Sequence, residues 1–176
     1  MTGPYVLLDD DPTGAQLSRD VTVLLDSGPE LVAAALAGGP AAVHIVTNSR
    51  SLKPAEAYHV TRDAATAALR ARPDARLVLR GDSTLRAHLV EEYAAVRDVA
   101  FPGAAPVLLL VPALPSAGRV TVGGVHHLVV DGRRVPVSET EYARDGGFAY
   151  ATAHLLDYAE HRSAGLLPAH RGRVVA

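Results

Sequence analysis

Cysteine and tryptophan are both absent from this 176-residue chain, and methionine occurs once. Without a thiol there is no disulfide framework and no thiolate metal site, and nothing in the composition calls for an oxidising compartment. The cytoplasm is the default location. Aromatic residues are scarce: two Phe and six Tyr leave few platforms on which nucleic-acid bases could stack, and a net charge of −2 with interspersed signs gives no basic face. Nucleic acid is not an expected partner. No apolar stretch approaches the roughly 18 residues of a membrane span. Met1-Thr2-Gly3-Pro4 lacks the basic start of a secretion signal. Lysine is reduced to Lys53, so a catalytic lysine has one candidate, and no P-loop motif exists.

What the chain does have is length and rhythm. A chain of this size buries roughly 70% of the surface its unfolded form exposes and folds without staples. Apolar runs at Tyr5–Leu8, Val21–Leu25, Ala42–Val46, Leu77–Leu79 and Pro106–Val111 read as strands. The last is apolar on both faces, the mark of a central parallel strand. Pro29 opens a helix that Gly38-Gly39-Pro40 ends. Pro54 begins a longer one to about Arg72, with Ala57, Val60, Ala64, Ala67 and Ala68 as a buried stripe. Further helices are expected from Leu85 to about Val99 and over 151–163. Short strands around an Asp131-Gly132 turn fill 120–137. The expected fold is α/β: a Rossmann-like three-layer domain over 1–163 with a mostly parallel sheet, a small β-hairpin insertion near 120–137, and a tail or linker at 164–176.

Four of these strands end in polar loops: Asp9–Gly14, Thr47–Ser51, Arg80–Arg86 and Ser116–Arg119. In a parallel sheet such loops share one edge, where aspartates, hydroxyls and arginines converge. That mixture suits a small, polyhydroxylated anion: bidentate arginines take a carboxylate or phosphate, and aspartates accept from hydroxyls. The chain centres on Arg80-Gly81-Asp82-Ser83-Thr84-Leu85-Arg86, a strand-to-helix loop flanked by two arginines. Arg119 closes the fourth loop, and one of the adjacent His126 and His127 faces the ligand edge, since neighbours on a strand point to opposite faces.

A rival reading attaches to the first strand. Asp9-x-Asp11-x-Thr13 after an apolar run matches the first motif of haloacid-dehalogenase-like phosphatases, with Asp9 as nucleophile, Asp11 as acid/base and magnesium as cofactor. The lysine and later acidic pair of that signature are missing.

Taken together, Asp9-Asp10-Asp11-Pro12-Thr13-Gly14-Ala15-Gln16, Thr47-Asn48-Ser49-Arg50-Ser51-Leu52, Arg80–His88, Pro112–Arg119, Gly124-Val125-His126 and Glu139–Asp145 resemble the four-carbon acid sugar kinase family, in family order over about residues 5–150. The resemblance implies a domain that holds a sugar acid such as erythronate or threonate for phosphorylation by ATP. It implies substrate contacts at Asp10 or Asp11, at Arg50 and along Arg80-Gly81-Asp82-Ser83, joined by Arg86, Arg119 and His126 as candidates. Arg50 and Arg80 would clamp the carboxylate, while Asp11 or Asp82 acts on the reacting hydroxyl. Ala87 stands where the family usually has glycine and Leu114 where it often has phenylalanine. ATP and Mg2+ are expected through a second domain to which nothing in this sequence corresponds. The expectation is therefore the substrate-binding part of a kinase, partnered by a separate nucleotide-binding domain or subunit. The alternative is a non-catalytic sugar-acid-binding module.

Overall fold

Four short runs with apolar residues at alternate positions pair into one parallel sheet in the computed structural model, which describes residues 3–175. β1 (Tyr5–Asp9), β2 (Thr22–Leu24), β3 (Ala42–Val46) and β4 (Arg76–Arg80) lie in the order β2-β3-β1-β4. The register sets Val6 beside Val43 and Leu77, and Leu8 beside Ile45 and Leu79. Those side chains share one face, because side chains alternate along a strand.

Helices cover that face. α1 (Pro29–Ala37) begins on a proline, whose missing N–H is no loss in a first turn, and buries Val32 and Leu36. At the start of α2 (Pro54–Ala71), the Glu56 carboxylate accepts the Lys53 N–H at 3.1 Å. α2 buries Ala57, Ala64, Ala67 and Ala68 as expected; Val60 is half-buried, and Thr61 and Ala65 complete the stripe instead. Val96 and Val99 of α3 (Leu89–Ala100) pack against the same cluster. Full burial of Val6, Val43 and Ile45 contributes about 1.5–3 kcal/mol for each side chain.

The chain forms two compact units. One comprises the residues up to Gly81 with Glu91–Leu108 and contains the parallel sheet; the other comprises Asp82–Val90 with the residues from Leu109 onward. In the second unit β5 (Arg119–Val122), β6 (Val125–Val130) and β7 (Arg133–Pro136) form an antiparallel sheet in chain order. Both of its turns are two-residue loops with positive φ throughout: Gly123-Gly124 at 57° and 83°, Asp131-Gly132 at 48° and 74°. That pairing matches the twist of the flanking strands. α4 (Leu155–Arg162) adds Leu155 and Tyr158 to a core with Leu85, Val137 and Ala153.

One expected strand is missing, and one expected helix starts late. No fifth strand forms over Pro106–Val111: Val107, Leu109 and Val111 are 95%, 77% and 65% exposed, and β4 is the last strand of its sheet. An apolar run becomes a central strand only when a neighbouring backbone supplies the ladder, and the boundary between the two units falls within this run. The helix expected from Leu85 begins only at Leu89, because Leu85 takes a left-handed φ of 67° and turns into the core of the second unit. Among the described residues no helix is long and apolar enough to cross a membrane.

Ile45→Ala is expected to lower the unfolding free energy by about 2–5 kcal/mol in urea titrations. A loss below about 0.5 kcal/mol would mean that the helix-covered face is not the core of this unit.

Candidate functional site

Because β1 lies between β3 and β4, the loops that follow these three strands leave the sheet side by side at its C-terminal edge. They carry Asp10–Gly14, Thr47–Ser51 and Arg80-Gly81. The expected fourth loop is not among them. Ser116–Arg119 follows no strand; Pro115–Ala117 is a 3-10 turn leading into β5 of the second unit.

Asp9 ends β1 and is 0% exposed. Arg80 Nη1 stands 3.3 Å from Asp9 Oδ1, and His44 Nδ1 is 3.6 Å from Asp9 Oδ2. On its far side, His44 Nε2 meets Ser18 Oγ at 3.0 Å. Gly14 closes over the pair: a Cβ there would run into Arg80 Nη1 and both Asp9 carboxylate oxygens. So enclosed, Asp9 presents no open carboxylate oxygen, which weighs against it as a phosphatase nucleophile.

Asp10 is equally buried and is held by Arg50 in a two-pronged fork, Nε to Oδ2 at 3.0 Å and Nη2 to Oδ1 at 2.6 Å. The Arg50 N–H also donates to the Asp10 carbonyl at 3.1 Å. Asn48, at a left-handed φ of 51°, makes the turn that brings Arg50 back over β1. The third prong, Arg50 Nη1, lies 3.3 Å from Asp11 Oδ2. Asp11 accepts from the Thr13 hydroxyl and from the Thr13 N–H at 2.8 Å. The Thr13 hydroxyl foremost, then the Thr13 N–H and the Arg50 and Arg80 charges, hold its carboxyl below the usual carboxylate range against the opposing effect of burial. Asp11 is therefore ionised at neutral pH. The two arginines expected to wait for a ligand carboxylate thus already face aspartates of their own sheet edge.

In the second unit the Asp82 carboxylate accepts from the Thr84 hydroxyl and from Arg86 Nε at 2.7 Å. Arg86 also lies 3.6 Å from Asp145 and over the Tyr142 ring, 5.0 Å from its centre. Ser83 presents its carbonyl to His126 Nε2 at 2.7 Å, while His126 Nδ1 meets Thr121 Oγ1 at 2.9 Å. Burial holds the imidazole below its ordinary pKa, so it is neutral. Nε2–H donates to the carbonyl, and Nδ1 accepts the threonine hydroxyl. Expected to face a ligand, His126 is instead fully buried and holds the loop by its backbone. Arg119 opens β5, exchanging two 3.0 Å backbone hydrogen bonds with Leu114.

Residues 5–174 match the family described as "sugar-binding N-terminal domain". The chain belongs to that family. It is also similar to a D-erythronate kinase of Heliobacterium modesticaldum (strain ATCC 51547 / Ice1), with 41% identity over 103 residues. The match covers 58% of this chain but only 22% of that relative's length.

In this sugar-binding N-terminal domain Ser18, His44 and Glu92 are not among the residues singled out from the sequence, and Ser49 is there only as part of its loop. Ser49 and Glu92 are both buried, with Ser49 Oγ 2.5 Å from Glu92 Oε1. Glu92 falls inside the helix expected from Leu85 to about Val99, where it is given no role. Its one signal was a position on the face that also carries Val96 and Val99.

Gly14→Ala is expected to destabilise the domain by about 1–3 kcal/mol in urea, since the new methyl must part Arg80 from Asp9. Gly38 is the control. It ends α1 at φ −74° with nothing within 4 Å of an added Cβ, so Gly38→Ala is expected to stabilise by about 0.4–1 kcal/mol.

Proposed function

We propose that this chain binds a four-carbon sugar acid as the acceptor-substrate domain of an ATP-dependent kinase. The observation that carries the proposal is the Arg50 fork. A buried aspartate holds the guanidinium in a fixed plane, and its remaining prong points to the ionised, part-exposed Asp11. The likeness to a D-erythronate kinase supports the choice of ligand. In this reading the substrate carboxylate takes up the Arg50 Nη1 side, and its hydroxyls donate to Asp11. Asp11 suits this role better than Asp82, with a side chain 27% exposed against 12%. Asp82, moreover, is shared between Thr84 and Arg86.

Transfer would have the acceptor hydroxyl oxygen bond to the γ-phosphorus while the bond to ADP breaks, with the hydroxyl proton passing to a carboxylate. Positioning and charge neutralisation supply most of the rate in such a step. ATP and Mg2+ belong, in this reading, to a nucleotide-binding domain or subunit. Among the described residues no group of three His, Asp or Glu side chains is placed to hold a cation.

Calorimetric titration with D-erythronate and threonate tests the proposal. One of the acids is expected to bind, and Arg50→Ala to weaken that binding at least tenfold, or about 1.4 kcal/mol. Arg50→Lys should not restore it, because an ammonium cannot fork. Unchanged affinity in Arg50→Ala would remove the clamp, and binding without phosphoryl transfer in the presence of the nucleotide-binding partner would leave a sugar-acid-binding module.

A further inference from the structure

Under the Asp10–Arg50 fork runs a chain of hydroxyl contacts that the proposed chemistry does not use. Thr47 Oγ1 lies 2.9 Å from the Asp9 carbonyl and 3.2 Å from Ser49 Oγ, and Ser49 Oγ lies 2.5 Å from Glu92 Oε1. All three side chains are buried. The protons can be counted along this chain. A carbonyl only accepts, so the Thr47 hydroxyl donates to Asp9. The Thr47–Ser49 contact then requires the Ser49 proton. With both hydroxyl protons spent, the last contact requires a proton on Glu92.

We infer that Glu92 is a positioning residue carried as the neutral acid: through Ser49 and Thr47 it holds the turn bearing Arg50 onto the end of β1. The inference rests on the sugar-acid reading only for its binding readout. Burial acts in the direction of the proton count: it is the main cause that pushes the Glu92 carboxyl from 4.5 up to about 8, and a hydrogen bond donated by Ser49 to the carboxylate, the reverse of the direction counted above, opposes it. The charged groups facing Glu92 are Asp10 at the end of β1 and Glu91 on its own helix, which push it up, and Arg50 on the turn, which pulls it down.

Because the folded-state pKa lies above the unfolded one, the stability Glu92 contributes is whole below 4.5 and is lost as pH rises to about 8. Ionisation leaves a buried charge and withdraws the proton from Ser49, so the turn loosens and Arg50 loses its fixed plane.

The test compares wild type, E92Q and E92L across about pH 6 to 9.5. Wild type is expected to bind its sugar acid about tenfold more weakly one pH unit above the step. E92Q, whose amide N–H replaces the acid proton, is expected to keep the wild-type affinity of low pH with no step. E92L, which offers no donor, is expected to bind weakly at every pH. A step that persists in E92Q, or an E92Q as weak as E92L, would overturn the assignment.

A second readout needs no ligand. In nuclear magnetic resonance of the free chain, the Glu92 carboxyl carbon is expected to titrate near 8, with faster solvent exchange at Arg50 Nε–H above that pH. A Glu92 midpoint near 4.5, or Arg50 exchange indifferent to the titration, would overturn the inference. Failure of every sugar acid to bind would count against the proposed function alone.

Discussion

Asp10 has lost almost all contact with water, and a carboxylate so placed is tolerable only while a cation meets it at hydrogen-bond distance. Arg50 provides this with its guanidinium fork, and its own backbone N–H ties the turn to the Asp10 carbonyl. The rest of the sheet edge follows from that pairing. The turn after β3 must fold back over β1, which Asn48 permits by taking a left-handed conformation. Its hydroxyl residues must then fall inside, where Thr47 and Ser49 need partners and find the Asp9 carbonyl and Glu92. Beside it, the Asp9–Arg80 contact repeats the theme and leaves room for nothing larger than glycine at position 14.

The same pairing explains how the edge could select a ligand. Arginines facing aspartates present fixed donors and acceptors side by side, so in the proposed reading an anion bearing hydroxyls would meet both at once. A bare anion would meet Asp11 as a like charge. The second unit uses different means. Asp82 is held by Thr84 and Arg86, and its loop is fixed by backbone hydrogen bonds from His126, Tyr150 and Tyr158 to Ser83, Thr84 and Leu85. Two buried rings and the half-buried Tyr150, anchoring three consecutive carbonyls, give that segment a defined path without helix or strand.

Membership of a sugar-binding family fits an edge built from forks and carboxylates rather than from apolar walls. Specificity in such a site comes from the penalty of leaving a buried donor or acceptor unpaired, which discriminates more sharply than shape alone. In the proposed reading, the hydroxyl chain under Arg50 would place part of that discrimination one layer below any surface a ligand would touch.

Composition and periodicity were sufficient to find the four parallel strands, α1 and α2, the Asp131-Gly132 turn and the acid–arginine loops, because each of these is written in neighbouring residues. Apolar alternation sets a strand's buried face, proline and glycine mark helix ends, and clustered Asp, Arg and Thr mark loops. Tertiary structure alone decided which arginine serves which aspartate, since Arg50 and Asp10 are 40 residues apart, and Arg80 and Asp9 are 71 apart. It also buried His126 as a strut under the Ser83 carbonyl, and turned Glu92 from an ordinary helix acid into a buried one. The Pro106–Val111 run shows the same limit from the other side. Its residues have every local property of a central strand, yet a strand exists only where another backbone completes its hydrogen bonds, and that partner is not encoded within the run.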